Sequence, residues 1–217
     1  PYYWPTDGTL SFFAISDPGT KTVNADAVPS FTYNDWAAEK DLVATSAIAG
    51  QKMAPFHLGF YHATSQIRVT AEAADQSQAL TYKLVSIRMT TPATGTLAFS
   101  NVNGERATWS IVNNKTKTYS YDSALPISFT NTGKANPSTV YWNILPVKDG
   151  TITFEIEYQV IQNGRVIADF TGEDKKVCEV KNPNLEMGKK YNYNFKLPVD
   201  ASSTIITFTT SVYSWQN

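Results

Sequence analysis

The segment "GTITFEIEYQVIQNGRVIADF" places Ile152, Phe154, Ile156, Tyr158 and Val160 on one face of an extended chain and Thr151, Thr153, Glu155, Glu157 and Gln159 on the other. A period of two predicts a half-buried strand. Asn163 and Gly164 tolerate the positive φ angles of a tight type I′ turn, and Val166, Ala168 and Phe170 then resume the alternation. The segment therefore reads as a β-hairpin. "KKYNYNFKLPV" repeats the pattern after a turn at Gly188, with Tyr191, Tyr193, Phe195 and Leu197 opposed to Asn192, Asn194 and Lys196. In the closing segment "STIITFTTSVYSW", Ile206, Phe208 and Val212 share one side and Ile205, Tyr213 and Trp215 the other. Apolar residues on both faces predict a strand covered on both sides.

Further strands are expected near residues 10–15, 42–48, 56–61, 65–73, 80–90, 96–100, 107–112, 127–130 and 140–145. The spacers between them, such as "TPATGT", "NVNGE", "NTGKANPS" and "KDG", are too short for crossover helices. An all-β antiparallel sandwich follows, not a βαβ fold. The longest irregular stretch, residues 16 to 41, reads as a functional or packing loop, in which "NDWAAEK" makes at most one helical turn capped by Asn34. A domain junction is best placed at the small, polar "AADQSQ", residues 73 to 78, which divides the chain into 1–75 and 76–217.

Composition agrees with sheet: of 217 residues 42% are hydrophobic and 13% aromatic, whereas only 17% are charged. Eighteen Lys and Arg against nineteen Asp and Glu leave a net charge of −1, so no global field gathers nucleic acid or an anionic membrane. The lone Cys178 rules out an internal disulfide, and "KKVCEVKN" offers it no metal or redox partner, so it reads as a buried or half-buried strand residue. No run approaches the roughly 20 apolar residues of a membrane span, and no basic-then-apolar signal segment opens the chain. The start at Pro1, in mid-pattern and without Met, leads to the expectation of a fragment trimmed from a longer chain.

Candidate chemistry is sparse. His57 and His62 in "PFHLGFYHATSQIRVT" lie five apart, so on a regular strand they face opposite ways and share no metal ion. Leu58, Phe60 and His62 hold one face and Ala63, Ser65, Ile67 and Val69 the other, a slip of phase that marks a bulge or a change of packing environment. His62 then reads as a core-edge histidine whose ring nitrogens find backbone partners. Glu155 and Glu157 lie about 6.7 Å apart along a strand, within range of an inverting glycosidase pair by spacing alone. Their threonine-lined face fits a solvated surface better. Neither Gly-x-Ser-x-Gly nor Ser-x-x-Lys occurs, and phosphate cradles are missing, so no catalytic residue, metal ligand or cofactor site is assigned. The aromatics of "PYYWP", Trp36, Trp109, "VYWN" (140–143) and Trp215 fill a core for the most part; any left exposed suit stacking on sugars or partner proteins.

Taken in order, several elements resemble the fimbrillin family, type V pilins and fimbrillin-like surface lipoproteins of Gram-negative anaerobes. "YYWPTDGTLSFFAIS" is similar to the family's W-P-x-x-x-x-L-x-F-x-A strand, and "DLVAT" at 41 to 45 to its D-L-(L/V)-x-A segment. "LGFYHATSQIRVT" resembles a strand in which the family's histidine falls on His62. "YWNILPV", with Val147 where glutamine commonly follows the proline, "LEMGKKYNYNFKL" and "SVYSW", which ends in Trp215, complete a match from residue 2 to 215.

The resemblance implies two transthyretin-like β-sandwich domains, the first incomplete here, because family members begin with a signal peptide, a lipidated cysteine and further strands. It implies export as a lipoprotein to the outer membrane, the cell surface or a fimbrium, no enzymatic activity, no cofactor, and a histidine that belongs to the fold. The implied function is that of a structural or tip subunit of fimbriae in pilus assembly and cell adhesion. Its partners would be other fimbrial subunits, with host glycans or proteins also in view, no nucleic acid, and membrane contact only through a lipid anchor upstream. In the family a strand of the next subunit fills a groove opened by proteolysis, which is β-augmentation. The closing strand, residues 203 to 215 with Ile205, Ile206, Phe208, Val212, Tyr213 and Trp215, is the candidate donor; the alternative is a plain last strand of its own domain. A second functional class is a surface glycan-binding module using exposed rings from 1–5 or 140–143.

Overall fold

The structure, a computed structural model, describes residues 4–24, 27–52, 55–121, 125–136, 141–200 and 206–215. The chain enters a smaller sandwich with β1 (Leu10–Phe12), β2 (Thr20–Val23), β3 (Pro29–Tyr33), β4 (Val43–Thr45), β5 (Ile48–Gln51) and β6 (Phe60–His62). It crosses to a larger one with β7 (Ser65–Ala73) and β8 (Thr81–Pro92), and returns with β9 (Gly95–Ala98) and β10 (Thr108–Ile111). It then stays in the larger sandwich through β11 (Thr116–Ser120), β12 (Ile127–Thr130), β13 (Lys134–Ala135), β14 (Trp142–Ile144), β15 (Thr151–Gln162), β16 (Arg165–Phe170), β17 (Lys176–Lys181), β18 (Lys189–Leu197) and β19 (Thr207–Ser214). Among the described residues the one helical element is a 3-10 turn, Gly172–Asp174.

In the larger sandwich one sheet runs β13-β7-β18-β19, with β14 also on β7, and the other runs β11-β8-β15-β16, with β12 also on β8 and β17 on β15. Pairing is antiparallel except between β7 and β18, which run parallel. The alternation of β15 is realised in full: Ile152, Phe154, Ile156, Tyr158 and Val160 are all completely buried. Asn163 and Gly164 have φ of 51° and 76°, the turn geometry their types predict. The return strand differs from expectation, because a register shift between Val160 and Ile161 leaves Val166 and Ile167 both exposed past the core. Tyr191, Tyr193, Phe195 and Leu197 face the same core, as alternation requires.

The smaller sandwich sets the sheet β10-β9-β3-β2 over the pairs β1-β5 and β4-β6. Phe31, Tyr33, Leu42, Ala44, Tyr61, Leu97 and Phe99 fill its core. β2 and β3 lie inside the stretch 16–41, which is therefore sheet in part and not one long loop. Residues 34–40 turn without forming a helix.

Around the junction the burial pattern corrects one expectation. Tyr61, Ala63, Ser65, Ile67 and Val69 are all buried, so the phase never slips. The change lies in the environment: Tyr61 and Ala63 belong to the smaller core, Ile67 and Val69 to the larger. A division after residue 75 falls between β7 and β8, whose residues pack into the same hydrophobic core from opposite sheets, while 95–111 belong with the smaller sandwich. Trp36 joins the two cores: its Nε1 donates to the Asn143 carbonyl at 2.9 Å, and its own carbonyl accepts from the Tyr119 hydroxyl at 2.5 Å.

Candidate functional site

β19 forms the edge of its sheet. It pairs with β18 alone, from Lys196↔Thr207 to Lys189↔Ser214, and its outer N–H and C=O groups belong to no ladder among the described residues. The inner row begins in the core, where Ile206 is 3% exposed and Phe208 packs against Tyr193 and Phe195 with ring centroids 5.5 and 6.0 Å away. Beyond Phe208, Thr210 and Val212 line the open mouth of the sandwich near Val180 and Pro183, and Val212 is 53% exposed. The outer row, Thr207, Thr209, Ser211 and Tyr213, faces solvent. The strand expected to be covered on both faces is thus covered on neither beyond Phe208. An edge position and a hydroxyl-rich run explain this. Ile205 lies outside the described residues.

The far end of β19 is fastened by the histidine that the sequence singles out. Trp215 stacks on His62 with centroids 3.8 Å apart and ring planes within 8°, and its N–H donates to the Gly188 carbonyl at 2.9 Å. His62 Nδ1 lies 3.0 Å from Asp41 Oδ1, so a carboxylate and an indole occupy the ring where backbone partners were expected. His62 Nε2 is buried with no hydrogen-bond partner among the described residues. Gly188, at φ 69°, donates to the Thr64 carbonyl at 2.9 Å, which ties the turn before β18 to the chain just past His62. β19 is held by both ends and bare between them. His57 lies exposed in the loop before β6, away from this cluster.

The carboxylate pair is occupied structurally. Glu155 lies 3.9 Å from both Arg88 and Lys175. Glu157 accepts from the Ser86 hydroxyl and from Gly172 N–H at 2.8 Å, and the Ser86 bond above all holds its carboxyl below the usual range. That is opposite to the raised pKa a general acid needs. Cys178 sits in β17, buried, and burial pushes its thiol up, away from the reactive thiolate form.

Two other open surfaces bear on binding. Leu10, Phe13, Val23, Val28 and Phe31 line an apolar groove of about 600 Å³ between β1 and β2, on the side where the smaller sandwich is not closed by a strand among the described residues. A shallow cleft of about 220 Å³ lies on the outer face of the larger sandwich, lined by Arg68, Tyr141, Lys190, Asn192 and Tyr213. The sequence hints at the second only through cations and amides at even positions of β7 and β18. Of the aromatics singled out, Trp36 is core, Trp109 donates its Nε1 to the Ala63 carbonyl at 2.7 Å, and Trp4 packs on Phe12 and Phe56. Trp142 stacks on Tyr121, and Tyr141 is left for the cleft.

These features define an all-β sandwich protein whose accessible chemistry lies on a strand edge and on sheet faces. The chain belongs to the fimbrillin-like family, whose pattern matches residues 1–215. Its fold is similar to that of a fimbrial protein from Bacteroides vulgatus, at 15% identity and TM-score 0.72 over 99% of this chain and 80% of that one. It is also similar to a candidate cell adhesion protein from Parabacteroides distasonis, at 8% identity and TM-score 0.50 over 97% and 95%. At such identities the likeness is one of fold. Among curated proteins no match to this chain is found.

Proposed function

We propose that this chain is a structural or tip subunit of cell-surface fimbriae, not an enzyme, that joins neighbouring subunits by exchanging its closing strand. Membership of the fimbrillin-like family and the likeness to a fimbrial protein support the subunit role and a cell-surface location. The observation that carries the strand-exchange part is the state of β19: one neighbour, two anchored ends, and a bare middle. Between its ends such a strand costs little apolar burial to lift, and the cost is concentrated at Ile206, Phe208 and Trp215. The β1–β2 groove, with Leu10, Phe13, Val23, Val28 and Phe31 in its lining and sheet edges at β1 and β2, offers a place for a donor strand. Exchange of this kind is head to tail, which builds an open fibre when the rotation between subunits does not close on itself. Further proposed partners are host glycans or proteins, and membrane contact would come through a lipid anchor upstream.

Electron microscopy of the purified protein, before and after light trypsin treatment, tests assembly. Filaments are expected after cleavage, and a chain ending at Ser202 is expected to form none while keeping a cooperative, slightly lowered melt. Loss of the cooperative melt would show instead that Ile206 and Phe208 make the strand indispensable to its own subunit. A full-length chain that stays monomeric under both conditions would remove the exchange mechanism.

A further inference from the structure

On the outer face of the larger sandwich, strand register gathers two cations and two tyrosines from elements far apart in sequence. β18 runs alongside β7 with Lys190 opposite Gln66 and Asn192 opposite Arg68. β19 sets Tyr213 opposite Lys190, and Tyr141 precedes β14, which pairs with the other side of β7. Arg68 and Lys190 both lie over the Tyr141 ring, at 5.8 and 5.4 Å from its centroid, and Lys190 also lies 5.5 Å from the Trp215 ring.

Neither cation makes an ion pair among the described residues, and no Asp or Glu lines the cleft. Two like charges held over one ring repel each other, and a bound anion relieves that repulsion. Arg68 is oriented by its own bonds, Nε to Asn136 Oδ1 at 3.3 Å and Nη1 to the Tyr141 hydroxyl at 3.5 Å, and neither uses Nη2. An oriented guanidinium with a free edge is suited to a planar carboxylate. The amide on the floor is Asn192, whose Nδ2 donates to Thr70 Oγ1 at 3.4 Å and whose Oδ1 has no hydrogen-bond partner among the described residues. Tyr213, 59% exposed, stands at the rim as a flat apolar wall.

We propose that this cleft binds a carboxylate-bearing sugar residue, a uronic or sialic acid, with the carboxylate between Arg68 and Lys190 and the ring against Tyr213. Its volume of about 220 Å³ lies below the roughly 300–1,000 Å³ of sites for drug-sized ligands and suits a single ring. It has no deep apolar pocket for the side chain of an acidic peptide. Sugar hydroxyls rotate to donate or accept and so adapt to the Asn192 amide and the Tyr141 hydroxyl, whereas a peptide backbone offers a fixed donor and a fixed acceptor per residue. The site goes beyond the fimbrial reading; because Tyr213 lies on β19, the cleft is complete only while that strand is in its own sheet, so the test uses the folded monomer and its outcome does not depend on polymerisation.

The test is calorimetric titration of the full monomeric chain with 3′-sialyllactose, a hyaluronan tetrasaccharide, lactose, chitotetraose and tetraglutamate. At least one acidic sugar is expected to bind about tenfold or more tighter than its neutral counterpart, and whichever acidic probe binds identifies the source of the carboxylate. Arg68→Met, which keeps the stem against Tyr141, and Tyr213→Ala are each expected to weaken that binding about tenfold while the melting temperature holds. Equal binding of sialyllactose and lactose, tetraglutamate binding as tightly as the sugars, no binding of any probe, or indifference to both substitutions would each overturn the assignment.

Discussion

Tyr82 and Tyr158 lie side by side in the larger core, both fully buried, with ring centroids 6.4 Å apart. They differ in the fate of one atom. The Tyr158 hydroxyl donates to the Pro198 carbonyl at 2.7 Å, whereas the Tyr82 hydroxyl is buried without a partner among the described residues. A satisfied buried hydrogen bond contributes about 1 kcal/mol net, and an unsatisfied hydroxyl costs its desolvation instead. Urea unfolding is therefore expected to show Tyr158→Phe less stable by about 1 kcal/mol and Tyr82→Phe unchanged or slightly more stable. Equal losses in the two variants would mean that the Tyr82 hydroxyl has a partner after all. His62 follows the same accounting at the surface: it is placed by Asp41 and Trp215, residues 21 positions before it and over 150 after it, which no local pattern joins.

At the scale of elements, what the sequence makes legible is what its neighbours decide. The β15–β16 hairpin can be read because alternation and turn lie within one stretch of chain. Gly164 has a φ of 76° with nothing within 4 Å of an added Cβ, so Gly164→Ala tests backbone strain alone. A loss of about 1 kcal/mol is expected in urea unfolding, and no loss would place the turn in another conformation. β2 and β3 are not legible for the converse reason. β2 is exposed along its whole length and shows no alternation, whereas β3 does alternate, with Pro29, Phe31 and Tyr33 buried, but over only five residues that open on a proline; it is secured by β9, with Phe31 opposite Leu97. The closing strand is half legible: its inner row is read correctly, but the edge position that bares it depends on β18 and β7. The acidic-sugar cleft is the extreme case, since the parallel register of β7 and β18 sets Arg68 beside Asn192 from the other end of the chain.

Among the described residues, five carboxyls are held below their usual range, Asp17 chiefly by the Lys40 hydrogen bond, Glu72 by Lys134, Asp75 by Ser77, Glu157 by Ser86 and Asp169 by Thr171. A pKa lower in the folded than in the unfolded chain adds stability that is complete above the ordinary carboxylate range and is lost as pH falls through it. The melting temperature is expected to stay level down to about pH 5 and to drop below about pH 4; a level profile to about pH 2 would contradict these pairings. Connectivity supports a stronger prediction. The chain passes from the smaller sandwich to the larger at β6–β7, back at β8–β9 and across again at β10–β11, so neither sandwich is one continuous stretch. A fragment of residues 76–217 loses β7, and with it Ile67, Val69, Ala71 and Ala73 from the larger core. It also uncovers the whole inner edge of β18 and deprives β13 and β14 of the ladder they form among the described residues. Removing a central strand leaves unpaired backbone that no surface loop can replace. The fragment is expected to show no cooperative thermal transition by circular dichroism, while the full chain melts in one step because Trp36, Tyr119 and Asn143 bind the two cores together. A fragment that melts cooperatively would mean that the larger sandwich closes without β7, and that the division after residue 75 is a true domain boundary.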